Sequence, residues 1–115
     1  MTRTADATSR SGRPRKRLLA LVRAREPLCH LCGQQVWTWV CAQTHPLGST
    51  VDEIIPVSKG GSTLDPDNCR HACRCCNTSR NNRPLTPEVY AKCRAISAKY
   101  RAQYAKGPGT TSRTW

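Results

Sequence analysis

The sequence is poor in aromatic and acidic residues. Its 115 residues include no phenylalanine, aromatic side chains make up 5%, and Asp and Glu together number 7. Domains with so little apolar surface to bury usually need a disulfide framework or a metal to hold them together. There is also no run of the roughly 18 apolar residues that a transmembrane helix requires. We therefore expect a single small domain that is held together by disulfides or a metal and does not cross a membrane.

Residues 1–17 contain no apolar segment, so we expect no secretory leader. We therefore expect a cytoplasmic protein in a reducing compartment. The sequence contains 8 cysteines. In such a compartment, cysteine pairs are more often metal ligands than disulfides.

Positive charge is what the chain has in excess. Lys and Arg number 19, which gives a formal net charge of +12. Such a balance in a small domain is typical of proteins that bind nucleic acid through phosphate contacts. A basic surface without a polyanionic partner is the alternative.

The two ends of the chain are predicted to be flexible, with one domain between them. Residues 1–13 are polar, basic and without hydrophobic periodicity, which predicts a disordered arm. The predicted domain covers residues 14–106, with its core at 28–83. Residues 107–115 begin with a Gly-Pro-Gly sequence and form a predicted flexible tail.

Helical patterns flank the predicted core on both sides. Apolar residues recur at helical spacing from Leu18 to Val22, and Pro14 suits a first helical turn, which predicts a helix over 14–25. Thr86 and Pro87 are typical of an N-cap and the first helical position. They predict a second helix over 87–106.

Two segments between these helices predict short strands. Residues 36–40 and 50–55 are rich in β-branched and aromatic side chains. Trp37 and Trp39 alternate along the first segment, so they would share one face. They are interpreted as core residues in preference to a base-stacking platform.

Two Cys-x-x-Cys pairs predict a zinc site, Cys29 with Cys32 and Cys73 with Cys76. Together the pairs complete a tetrahedral site of four thiolates with no open position, which makes it structural. The 40 residues between the pairs exceed the loop of a simple zinc ribbon and must contain additional structure. Of the other cysteines, Cys75 is interpreted as a spare thiol within the second pair. The remaining three are interpreted as small buried residues: Cys41, Cys69 and Cys93.

The segment 28–83 resembles the HNH endonucleases. The resemblance rests on Cys-x-x-Cys at 29–32, Val-Asp-Glu-Ile-Ile-Pro-Val-Ser-Lys-Gly-Gly at 51–61, Asn68, and Cys-x-x-Cys-Asn at 73–77. It is close to the zinc-knuckle HNH proteins of tailed bacteriophages. It implies an α+β fold with a small ββα-metal (His-Me finger) core, stabilised by the four-cysteine zinc site and flanked by N- and C-terminal helices.

The resemblance also implies a catalytic site. Carried over by position, Asp52 and Asn77 would hold a divalent cation, and Asn68 would fix the intervening loop and orient the base. Oxygen donors suit Mg²⁺ or Mn²⁺, which keep water ligands for a substrate phosphate. The expected activity is metal-dependent hydrolysis of phosphodiester bonds in DNA, in which a side chain takes a proton from the attacking water.

The general base is where the sequence departs from the family, because Glu53 stands at the position of the family's histidine. Three alternatives remain open. Glu53 acts as the base or as an added metal ligand, or His45 or His71 substitutes for the missing histidine. In the third alternative the domain binds DNA without cutting it, as a zinc-stabilised DNA-binding or packaging-accessory module. A zinc-ribbon regulator is disfavoured by the long insertion.

Basic side chains flank the predicted site and are interpreted as phosphate contacts, which position a duplex without reading its sequence. They are Lys59, Arg70, Arg74, Arg80 and Arg83. DNA is therefore the expected partner, with no membrane and no small-molecule substrate. The phage resemblance further implies a role in DNA packaging beside terminase subunits, in the cytoplasm of a bacterial host cell.

Overall fold

A computed structural model describes residues 12–106 of the chain. Helix α1 (Gly12–Arg25) is followed by strands β1 (Ser49–Glu53) and β2 (Cys69–Cys73), helix α2 (Arg74–Arg80) and helix α3 (Pro87–Lys106). The predicted flexible tail lies outside the described residues, as do residues 1–11 of the predicted arm. Among residues 12–106, no helix has the length and apolar character needed to cross a membrane.

The centre of the fold is an antiparallel hairpin of β1 and β2 that continues directly into α2. Ser49 pairs with Cys73 at one end of the hairpin and Glu53 with Cys69 at the other. Asn81 ends α2 in the left-handed conformation, with its N–H bonded to the carbonyl of Asn77. The predicted α+β fold with a ββα core is therefore confirmed.

Helix α1 covers one face of the hairpin. Its buried residues Leu18 and Val22 pack against Val51 of β1 and Cys69 of β2. These two apolar positions lie one helical turn apart, so they share one side of α1. The helix predicted over 14–25 is confirmed, and it begins two residues earlier than expected.

Helix α3 covers the zinc knuckles and packs against α2. Its start is fixed by Thr86, whose Oγ1 accepts a hydrogen bond from the Val89 N–H at 3.3 Å. The predicted N-cap and the predicted helix over 87–106 are thus both confirmed. Val89 and Cys93 are buried one turn apart and complete the core on this side.

The strand predicted over 36–40 is wrong. The segment forms only one isolated bridge, between Trp37 and Gly48, where the Trp37 N–H donates to the Leu47 carbonyl at 2.9 Å. The chain turns between Cys41 and His45 before any further pairing can form. Trp37 packs partly buried against the core, whereas Trp39 is 63% exposed, so the core interpretation of Trp39 is also wrong.

Candidate active site and metal centre

Four buried cysteines from the two knuckles form one cluster. Their Sγ atoms all lie within 4.8 Å of one another, and all eight cysteines of the chain are free thiols. The ligands are those predicted: Cys29, Cys32, Cys73 and Cys76.

The surroundings of this cluster suit zinc. Backbone N–H groups of Leu31, Cys32 and Cys73 donate to the Cys29 sulfur at 3.4 to 3.5 Å. Hydrogen bonding with Cys29 lowers the pKa of the Cys32 thiol and raises that of the Cys76 thiol. A dication favours deprotonation of all four sulfurs, and four sulfurs with no open position fit structural zinc.

The remaining cysteines lie outside this ligand set. Cys69 and Cys93 are buried, as predicted, and burial raises the pKa of Cys93 to about 11. Cys75 is buried in the core beside the knuckle. Cys41 is exposed, so its interpretation as a buried residue is wrong. It lies in the turn that ends the segment mistaken for a strand.

Asp52 is buried beneath α2 in a network of charged and polar groups. Its Oδ2 is 2.8 Å from NH1 of Arg80 and 2.7 Å from Nε2 of His30, and both partner side chains are 2% exposed. His30 belongs to the first zinc knuckle, between the ligands Cys29 and Cys32, and so connects the zinc site to Asp52. No sequence pattern pairs His30 with Asp52, because 22 positions separate them.

Arg80 has a structural role, and its interpretation as a phosphate contact is corrected. Besides Asp52, it donates to the carbonyls of Glu53 and Ile54 at 2.8 Å and of Arg83 at 2.9 Å. A buried guanidinium with these bonds links the end of α2 to the end of β1. It is not available to a ligand at the surface.

Asn77 of α2 lies over the middle of β1. Its Nδ2 donates to Oγ1 of Thr50 at 3.2 Å and to the carbonyl of Val51 at 3.1 Å. Because that carbonyl can only accept, the amide nitrogen must face it and Oδ1 points elsewhere. Asn77 and Asp52 thus come from neighbouring elements to the same face of the hairpin.

Asn68 fixes the loop that follows β1. Its Oδ1 accepts from the Ile55 N–H at 2.8 Å, and its Nδ2 donates to the carbonyls of Ile55 and Ser62 at 3.0 Å. Gly61 lies so close to this contact that an added Cβ would be 1.6 Å from the Ile55 carbonyl oxygen. The position of Asn68 therefore suits the loop-fixing role that the resemblance implied.

Glu53 faces the opposite side of β1 from Asp52, since consecutive strand residues project to opposite faces. Its Oε2 is 3.0 Å from NH2 of Arg15 on α1, with side-chain exposures of 8% for Glu53 and 13% for Arg15. Arg15 also donates to the carbonyl of Thr63. Helix α1 thus places the guanidinium of Arg15 against Glu53. No sequence pattern indicates this contact, because 38 positions separate the two residues.

Residues 29–83 match the protein-family model described as HNH endonuclease. We call this segment the HNH domain, after the family model that it matches. The matched range includes both zinc knuckles, the hairpin and α2, while α1 and α3 flank it. Neither a curated protein nor a solved structure matches the chain.

The two histidines considered as substitute bases lie away from Asp52 and Asn77 in the HNH domain. His71 is fully buried on the α1 side, where Nδ1 meets the Glu26 carbonyl at 2.7 Å and Nε2 meets Oγ of Ser49 at 2.6 Å. Burial lowers the pKa of His71. Since a carbonyl only accepts, Nδ1 carries a proton and donates it to Glu26.

His45 belongs to an aromatic cluster. Its ring centroid is 4.3 Å from that of Tyr104, and its Nδ1 accepts from the Leu47 N–H at 3.1 Å. Burial, and then the nearby Arg74, lower the pKa of His45. Neither His45 nor His71 shares a hydrogen bond with Asp52 or Asn77 within the described part of the chain.

The other predicted phosphate contacts differ in whether their side chains already form ion pairs or hydrogen bonds within the fold. Arg70 forms a forked ion pair with Glu26, which lowers the pKa of that carboxyl. Arg74 is partly buried and donates to the His45 carbonyl at 3.4 Å. Lys59 and Arg83 are exposed at the surface of the HNH domain.

Proposed function

We propose that the HNH domain is an endonuclease that hydrolyses phosphodiester bonds in DNA, with a divalent cation held by Asp52 and Asn77. The observation that carries the proposal is the placement of these two side chains by β1 and α2 on one face of the hairpin, inside a segment that matches the HNH family. The four-cysteine cluster supplies a separate, structural zinc site.

The donor set fits a hard cation such as Mg²⁺ or Mn²⁺. Both hydrogen bonds to Asp52 go to Oδ2, and no described residue bonds to its Oδ1. Likewise, no described residue bonds to Oδ1 of Asn77. A carboxylate oxygen and an amide oxygen thus remain as ligands, and a cation bound there would neutralise charge on the scissile phosphate.

Within this proposal Glu53 takes the place of the family's histidine as the group that accepts a proton from the attacking water. It ends β1 directly after Asp52, and Arg15 pairs with its carboxylate on the α1 side, so Glu53 must turn from Arg15 towards Asp52 to act as the base. The two histidines that were alternatives are engaged elsewhere in the fold. Glu53 therefore stays the candidate base.

A second candidate function is DNA binding without cleavage. It is favoured by the pairing of both acidic side chains with arginines, Asp52 with Arg80 and Glu53 with Arg15. Positive charge this close to Asp52 weakens the binding of a second cation. A role in phage DNA packaging with terminase subunits stays a prediction from the resemblance alone.

Conversion of supercoiled plasmid to nicked or linear forms distinguishes the two candidates. Zinc-loaded protein is assayed with Mg²⁺, with Mn²⁺ and with neither, because a strong chelator such as EDTA would also remove the zinc. We expect cutting only with added cation. Cutting without it would contradict the cation site, and no cutting under any condition alongside retained DNA binding would support the non-catalytic module.

Asn77 is the position to vary in this assay. Asn77→Ala removes the amide oxygen and abolishes cutting, whereas Asn77→His restores it, because the family uses Asn or His at this position. Zinc content and thermal unfolding serve as the fold control, with an expected loss of about 1 to 2 kcal/mol for Asn77→Ala from its missing hydrogen bonds. Normal cutting by Asn77→Ala would show that the cation lies elsewhere.

A further inference from the structure

Four rings form an aromatic cluster at the surface beside the first zinc knuckle: Trp37, Trp39, His45 and Tyr104. Trp37 is central, with ring centroids 5.3 Å from Trp39, 5.2 Å from His45 and 6.1 Å from Tyr104. Trp39 is nearly parallel to Trp37, with an angle of 24° between the rings, and is 63% exposed. The outer face of a large ring is therefore presented to solvent on a rigid stack.

A basic groove lies between α2 and α3. It encloses about 500 Å³, and three cations line it: Arg74, Arg83 and Lys92. Tyr100 contributes an aromatic ring to the same groove, and no acidic side chain lines it within the described residues. A groove with this charge attracts a polyanion.

The aromatic cluster and the basic groove are continuous. Arg74 lines the groove and donates to the His45 carbonyl at 3.4 Å, and Pro46 lines the groove beside it. Tyr100 of the groove and Tyr104 of the cluster are four residues apart on α3, so they lie on the same side of that helix. A ligand in the groove can therefore reach the cluster.

We propose that the aromatic cluster and the basic groove together bind single-stranded DNA. Proteins that bind unpaired strands combine a cationic groove for the backbone with aromatic side chains on which bases stack. Duplex DNA satisfies only the first requirement, because its bases are already stacked within the helix. The inference rests on the proposed function for the choice of DNA and goes beyond it in assigning the substrate an unpaired segment.

This surface is distinct from the candidate cation site. Asn77 and Arg80 point from α2 towards β1, whereas Arg74 and Thr78 of the same helix line the basic groove on the other side. Binding of a strand in the groove can therefore be measured without any cleavage, and without added Mg²⁺ or Mn²⁺.

Fluorescence anisotropy with a labelled oligothymidylate, beside a duplex of mixed sequence, tests the aromatic cluster. We expect Trp39→Ala to weaken oligothymidylate binding about tenfold through loss of base stacking. Duplex affinity should not change. The matched control is Leu21→Ala, which removes an apolar side chain that is 46% exposed on α1. It should leave both affinities unchanged.

The salt dependence of the same binding reaction tests the basic groove. Lys92→Gln should reduce the slope of log affinity against log salt by about 0.7 for oligothymidylate, as expected for one lost contact to a single strand. Arg94→Gln is the matched control. It removes an equal charge two positions along α3, on the side away from the groove.

The outcomes separate this proposal from the nuclease proposal. Equal loss of single-strand and duplex affinity in Trp39→Ala, or no loss, overturns the single-strand site even when the wild type cuts plasmid. Tighter binding of the corresponding oligouridylate overturns the choice of DNA. A Trp39-dependent preference for single strands supports the site even when the wild type cuts nothing.

Discussion

At the scale of single residues, the buried trio of His30, Asp52 and Arg80 carries the largest energetic consequence. Asp52 neutralises a guanidinium that is 2% exposed. Removing one partner of a buried ion pair leaves an uncompensated charge, whose cost exceeds that of a lost neutral hydrogen bond. Asp52 therefore contributes to stability as well as to the proposed cation site.

We predict that Asp52→Ala lowers the free energy of unfolding by about 3 to 5 kcal/mol. His30→Ala should cost less, because the Asp52–Arg80 pair survives in that variant. Urea denaturation at a fixed concentration of free zinc measures both, since ligand binding to the folded state otherwise shifts apparent stability. Equal losses in the two variants would contradict the charge argument. Because Asp52→Ala should also destabilise the fold, loss of cutting in this variant supports a cation ligand less strongly than loss of cutting in Asn77→Ala.

Glu53 gives a second prediction at this scale. Glu53→Gln keeps the shape of the side chain but cannot take up a proton, so plasmid nicking should fall by about 100-fold or more. Arg15→Gln removes the ion-pair partner and keeps the carboxylate, so it should retain cutting. If both variants lose activity equally, loss of the ion pair accounts for both results, and the prediction that proton uptake by Glu53 is what matters is contradicted. Glu53→His, which restores the family's residue, should cut at least as well as the wild type.

The sequence predicted the cysteines of the metal cluster, but it did not predict which buried side chains contact one another around Asp52. The Cys-x-x-Cys spacing located the metal cluster because its ligands are close along the chain within each pair. Arg80 was mistaken for a surface cation because it follows a polar run, and only the packing of α2 on β1 buries it. The contact of His30 with Asp52 likewise depends on how the first knuckle meets the hairpin.

At the scale of elements, the loop from 54 to 68 depends on a glycine. An added Cβ at Gly61 would be 1.6 Å from the Ile55 carbonyl oxygen and 2.9 Å from Nδ2 of Asn68. Backbone atoms cannot move away as the end of a side chain can, so the loop must shift as a whole. Gly61 therefore permits the close approach that lets Asn68 span the loop.

We predict that Gly61→Ala destabilises the domain by more than the roughly 1 kcal/mol typical of an average substitution. It should also increase amide hydrogen exchange at Ile55, whose N–H is bonded to Asn68. Ser58→Ala serves as the control, because Ser58 is an exposed residue of the same loop. Unchanged exchange at Ile55 in Gly61→Ala would show that the loop accommodates the methyl group without losing this bond.

Elements with local signals were predictable, and elements that need a distant partner were not. The cap at Thr86 and the apolar spacing of α1 involve residues one turn apart, and both helices were found. The β-propensity of residues 36–40 is as high as that of β1. Strand formation requires a paired neighbour, however, and this segment has only the bridge at Trp37.

At the scale of the whole molecule, zinc joins the beginning and the end of the HNH domain. Two ligands precede the hairpin, Cys73 ends β2, Cys76 lies in α2, and α3 packs against the knuckles. Apparent binding energies of roughly 10 to 16 kcal/mol for structural zinc are comparable to or larger than the whole stability of a small domain. We therefore expect a zinc ion bound by the four cysteines to decide whether the domain folds.

We predict that removing zinc with a strong chelator unfolds the domain, with loss of helical circular dichroism and recovery on adding zinc. Cys76→Ser should show the same loss and should not bind zinc with a stoichiometry of one. Cys41→Ser is the matched control, because Cys41 is an exposed thiol outside the cluster. Because the ligands bind as thiolates, zinc affinity should fall as the pH is lowered. A folded, zinc-free Cys76→Ser protein would contradict this prediction.

The hydrogen bond between Trp37 and Leu47 has a consequence for how the domain can vary. Its 2.9 Å hydrogen bond closes an excursion of the chain whose two ends are fixed, one next to the first knuckle and the other next to β1. Doubling the length of such a loop costs only about 0.6 kcal/mol in closure entropy. The excursion, with Trp39 on it, can therefore be exchanged or lengthened without moving the four clustered cysteines or Asp52. The proposed strand-binding ring and the proposed cation site thus lie on parts of the domain that can vary independently.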